Sequence, residues 1–123
     1  MIKGFEDITA KLSDTERDRY VPLIVDILKC RKGISRAVTS TQISDQLHRD
    51  TGWHITGSRI RKIINHIRYN GLVRCLVASS HGYYIAESKE QLDVYIESLQ
   101  GRLDAIRSVL RIIKAQGRRS FKK

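Results

Sequence analysis

The stretch TGSRIRKIINHIRYN, Thr56 to Asn70, decides how this chain is read. At about 100° per residue, Ile60, Ile63, Ile64 and Ile67 fall on one narrow stripe, the i, i+3, i+4, i+7 pattern of a helix facing a core. The opposite side carries Ser58, Arg61, Lys62, Asn65 and Tyr69, flanked by Arg59, His66 and Arg68. No acid interrupts the stretch, whereas a helix that only has to stay soluble usually mixes Glu or Asp among its bases. Arg and Lys pair with guanine edges or phosphates, and Asn can make two bonds to adenine. The residue set therefore has the chemistry of a groove-reading helix.

Upstream, Thr56 caps this helix, and Asp50 to Ile55 reads as a turn containing Gly52 and Trp53. Before the turn, Thr39 or Ser40 caps a helix from Thr41 to about Arg49, with Ile43 and Leu47 facing inward. Further back, Ser13 and Glu16 form a Ser-x-x-Glu capping box that opens a first helix. Its apolar face is Tyr20, Leu23, Ile24, Ile27 and Leu28, and Gly33 ends it. Pro22 removes one backbone bond and clashes with the preceding turn, which predicts a kink or a split there. Arg31 to Val38 reads as a loop in which Ile34 and Val38 can pair briefly with a later hairpin. Residues 1 to 12 form an arm with Phe5, Ile8 and Leu12 at helical spacing.

Downstream, Gly71 sits where a left-handed residue stops the helix. Leu72 to Ala78 and Tyr83 to Ala86 are β-rich, and Ser79-Ser80-His81-Gly82 supplies the turn of a hairpin. Ser88 with Gln91 then makes another capping box. It opens a heptad seam of Leu92, Ile96, Leu99, Leu103, Ile106, Leu110 and Ile113. Val94, Tyr95, Val109 and Ile112 widen the apolar surface, as expected if one side meets the domain and another meets a second copy. Gly101, off the seam, weakens the helix by about 1 kcal/mol relative to Ala. The expected organisation is an arm (1–12), a helical domain with hairpin (13–87), a dimerisation or packing helix (88–117) and a basic tail (118–123).

A chain of 123 residues, 41% hydrophobic, fits one domain with an appended helix. Its net charge of +10 calls for an anionic partner, and nucleic acid and acidic membranes both qualify on charge alone. The charge is unevenly placed: −1 over residues 1–30, +7 over 31–82, zero over 83–117 and +4 over the last six. The central segment, with the helix quoted above, thus carries most of the positive field.

Cys30 and Cys75 sit in what look like helix and strand interiors, and buried reduced thiols are expected. No apolar run approaches the roughly 18 residues of a membrane span and the first residues hold no signal-like segment, so a cytoplasmic protein with no membrane partner is expected. His48, His54, His66, His81 and the two cysteines show no close metal-ligand pair, and no cofactor is expected. With no glycine loop for phosphate, and carboxylates Glu6, Asp7, Asp14 and Glu16 placed at helix starts, the chain reads as a binding module rather than an enzyme, with no small-molecule substrate evident.

The order helix, helix, turn, helix, hairpin over Thr39 to Ala86 resembles the winged helix-turn-helix proteins. Ser40 to Leu47 look like the supporting helix, Thr56 to Asn70 like the recognition helix, and Asn70 to Val73 like the entry to the wing. The wording of Arg61 to Arg68 and Val77 to Ile85 also resembles small uncharacterised proteins of bacteriophages and prophages. The resemblance implies a mainly α fold with a small β-hairpin and a long C-terminal helix. It implies that Ser58, Arg61, Lys62 and Asn65 lie near bases, with Arg59, His66, Arg68, Tyr69, Ser79, Ser80 and His81 as further DNA contacts. His81 is the only titratable group at the wing tip, a departure from strongly basic wings. The expected function is sequence-specific binding of double-stranded DNA by a homodimeric phage-type transcriptional regulator in the host cytoplasm. A protein-interaction adaptor or antirepressor, and a replication-origin or packaging-site binder, are the alternatives.

Overall fold

The first helix, α1, starts where Ser13 and Glu16 exchange hydrogen bonds: the Ser13 amide donates to Glu16 Oε1 at 2.9 Å and the Glu16 amide to Ser13 Oγ at 3.1 Å. This computed structural model describes residues 12–121, so the expected arm at 1–12 lies outside the described residues except for Leu12. A π-helical turn, Glu16–Tyr20, leads into the α-helical part of α1, Val21–Lys29, with Pro22 in its first turn. The two segments are continuous, so the expected split does not occur. A proline in that position lacks a donor, and the wider i→i+5 register just before it is where the backbone ladder accommodates the loss.

A 3-10 turn, Ile34–Arg36, follows, and Ile34 is exposed there rather than paired. The pairing partners are Lys32, bridging Ile85, and Val38, bridging Tyr83. Helix α2, Ser40–Thr51, is longer than the sequence predicts by most of a turn. Thr39 caps it in a full box with Gln42, and left-handed Gly52 closes it. Thr51 Oγ1 donates to the Leu47 carbonyl at 2.7 Å and accepts from the Trp53 amide at 3.1 Å, which carries the helical register into the turn.

Helix α3, Gly57–Tyr69, is capped by Thr56, whose Oγ1 accepts from the Arg59 amide. It ends in two backbone bonds, Gly71 to the Arg68 carbonyl and Leu72 to the Ile67 carbonyl. With Gly71 at φ +63°, this is the Schellman stop. Ile60, Ile63, Ile64 and Ile67 are all solvent-inaccessible and share a core with Ile24, Leu28, Ile43, Leu47 and Ile55.

The hairpin is shorter than the sequence predicts. Strand β1 is Leu76–Ser79 and β2 is Gly82–Ile85, antiparallel, with Val77 opposite Tyr84 and Ser79 opposite Gly82. Leu72 to Cys75 remain irregular because the helix stop and a left-handed Cys75 (φ +58°) re-aim the chain before pairing begins. Val38 and Tyr83 exchange both backbone bonds, at 2.9 and 2.7 Å, so β2 is flanked on its free edge by a one-residue third strand. Gly82 permits this approach: a Cβ there would lie 2.6 Å from the Val38 carbonyl. Both cysteines are exposed, correcting the expectation of buried thiols. Cys30 follows α1 and Cys75 lies in the irregular approach to β1, so neither occupies an element interior.

These elements belong to one compact unit, Met1–Glu87, and Ser88–Lys123 forms a second. The second unit is helix α4, Lys89–Ser120, whose cap Ser88 accepts from the Gln91 amide at 3.2 Å. It runs past Gly117 through Arg118 and Arg119, so the helix extends into the expected basic tail. Among the described residues no helix is long and apolar enough to cross a membrane.

Candidate nucleic-acid interface

Four inward isoleucines fix the rotation of α3, and with it what the helix shows to solvent. Ser58, Arg61 and Tyr69 are exposed on the outer stripe, with Asn65 half-buried between them; Tyr69 is 75% accessible. Among the described residues Arg61 takes part in no ion pair. Its guanidinium lies over the helix start, beside Gly57. A free guanidinium beside an amide, an aromatic ring and a hydroxyl is a set of donors suited to phosphate oxygens or base edges.

The other flank of α3 is differently occupied. Glu16, only 3% exposed in its side chain, lies beneath Arg59 and Lys62. Lys62 Nζ donates to Glu16 Oε1 at 3.2 Å and Arg59 Nε to Oε2 at 3.3 Å. Burial acts to raise the Glu16 pKa. The Ser13 amide bond outweighs it together with the Lys62 and Arg59 contacts, leaving the carboxyl at about 2, so it is ionised at neutral pH. Arg59 also stacks over Tyr20, 5.4 Å from the ring centroid, and Tyr20 packs on Trp53 with 5.3 Å between centroids. One buried anion and an aromatic pair thus anchor two of the expected DNA contacts against the body of the domain. Lys62 is 25% and Arg59 42% exposed, so each still presents part of its charge outward.

His66 accepts the Asn70 side chain at its carbonyl at 2.8 Å, with the Asn70 amide 3.3 Å from its Nδ1; it serves the helix end. Arg68 is half-buried and already engaged. At the hairpin tip Ser80 and His81 are exposed, while Ser79 Oγ is occupied by the turn, donating to the Gly82 carbonyl and accepting the His81 amide. Arg36, Arg49 and Arg74 are further exposed bases of the central segment that the sequence reading did not single out. Glu16 and Tyr20 are the residues whose part in this site the sequence does not reveal. Glu16 was legible only as a cap, because its second role depends on partners 43 and 46 positions away.

A surface groove also lies elsewhere, between α1 and α2. There Asp26 and Asp50 oppose Arg31 and Arg36, and this mixture gives no single-sign field. Among the described residues no three His, Cys, Asp or Glu side chains converge as a metal ion would need. No protein-family model, curated protein or solved structure matches this chain.

Proposed function

We propose that this protein is a winged-helix module that binds double-stranded DNA and works as a homodimeric transcriptional regulator of the phage type. The observation that carries the reading is the acid-free outer face of α3, with Arg61 exposed, and in no ion pair among the described residues, opposite four inaccessible isoleucines. The element order supports the winged-helix assignment, because the Val38 bridge supplies the short strand that joins the hairpin in that fold. Binding would proceed by counterion release from phosphates facing the +7 central segment, with Ser58, Arg61 and Asn65 reading bases. The hairpin tip at Ser80 and His81 would rest on the backbone. The exposed seam of α4 would join two copies, a suitable arrangement for symmetric half-sites.

A second reading has its own support. Arg59 and Lys62 are held by Glu16, and Tyr69 stands out as a large aromatic on the same stripe, as an anchor for a protein partner would. Duplex titration at several salt concentrations separates the two. A DNA binder loses affinity steeply and linearly in log salt, and selection from a random duplex library returns a symmetric site. Absence of duplex binding at low salt would leave the adaptor reading in possession.

A further inference from the structure

Helix α4 has no buried residue, and its seam side chains from Ile96 to Ile113 stand open: Leu99 is 40% and Ile106 65% exposed. Ala105, Ile106, Val109, Leu110 and Ile113 line an almost wholly apolar depression. A surface of this kind along 32 helical residues is an association site, and the charges beside it identify the occupant and its direction. Residues 88–104 hold four acids and two bases, whereas 105–121 hold five bases and no acid. The helix is therefore an electrostatic dumbbell, net −2 at one half and +5 at the other.

We propose that α4 pairs with α4 of a second copy in antiparallel orientation. This rests on the dimer reading above and specifies its geometry. With the seam as heptad positions a and d, antiparallel pairing stacks Ile96 on Ile113, Leu99 on Leu110 and Leu103 on Ile106 of the second copy, each layer occurring twice. Seam position Gly117 falls opposite Leu92 and leaves room for it. In the flanking rows Asp93 comes beside Lys114 of the second copy and Gln100 beside Arg107. The acidic half of each helix thus lies along the basic half of the other, and the helix dipoles oppose.

Parallel pairing is the disfavoured alternative. It would set Arg102 at a g position against Arg107 at the following e position of the second copy, twice by symmetry, and would align the two +5 halves. Like charges in those rows are what coiled coils use to reject an orientation.

The test uses the full chain with Cys30→Ser and Cys75→Ser, both positions being exposed. Leu99→Cys and Leu110→Cys are made separately, one of them tagged, then mixed and oxidised. Antiparallel pairing gives the mixed 99–110 disulfide as the main product; only 99–99 and 110–110 products would overturn it. In parallel, sedimentation of Asp93→Lys should show weakened self-association, restored when Lys114→Asp is added to the same chain. Lack of rescue in a chain that still dimerises defeats the orientation alone. A monomeric parent chain at micromolar concentration defeats the dimer reading as well.

Discussion

Glu16 and Lys62 stand 46 residues apart in sequence and meet at 3.2 Å, Oε1 to Nζ, with Arg59 on the other carboxylate oxygen. The contact ties the start of α1 to the charged flank of α3. The Glu16 pKa falls from 4.5 to about 2 on folding. Such a depressed carboxylate contributes stability that is complete above pH 4.5 and is lost as pH drops toward 2, amounting to about 3 kcal/mol at most. Urea melts between pH 7 and pH 2 should show that loss, and Glu16→Gln should flatten the dependence across this window while keeping the Ser13 cap. An unchanged acid profile in the variant would mean the carboxylate is not the group responsible.

The same carboxylate limits how much positive charge α3 offers a polyanion. Removing it in Glu16→Gln frees Arg59 and Lys62 for phosphates, so non-specific duplex affinity should rise and the plot of log affinity against log salt should steepen by about 1 to 2 units. Anisotropy titrations at several salt concentrations read this directly. An identical slope in both proteins would place those two bases outside the interface.

Arg61 is exposed and takes part in no ion pair among the described residues, and its loss should cost binding without costing the fold. Arg61→Ala is expected to weaken a preferred duplex site by about 1 to 3 kcal/mol with an unchanged melting midpoint, and Asn65→Ala to behave similarly at its own base pair. Equal losses on preferred and random duplexes would reassign Arg61 to the phosphates.

Ile64 lies at zero exposure in the shared core, so Ile64→Ala should destabilise the domain by about 2 to 5 kcal/mol in chemical denaturation. The glycines give a finer contrast. Gly82→Ala puts a methyl group 2.6 Å from the Val38 carbonyl at φ +115° and should disrupt the hairpin edge. Gly52→Ala, at φ +78° in open space, should cost only about 1 kcal/mol.

On α4, Leu103→Arg puts a charge in the middle of the open seam, where no residue is buried within the chain. Self-association measured by sedimentation should disappear while helical content measured by circular dichroism stays high. Loss of both together would indicate that the helix depends on its partner for its own folding.

Local patterns in the chain determined a good deal. The isoleucine period set the inward face of α3. Thr39 with Gln42, and Ser13 with Glu16, marked helix starts through bonds that span three residues, and Gly71 marked a stop. Caps and periodicity act over a turn or two, so they are written in neighbouring residues. Packing set the relationships between partners far apart: Glu16 beneath Arg59 and Lys62, Val38 against Tyr83, and the exposure of Cys30 and Cys75. Within Thr56 to Asn70 no acid accompanies Arg59 and Lys62. The acid that neutralises part of that charge arrives only when α1 packs on α3, because burial and ion pairing are properties of distances in space that no spacing along the chain encodes.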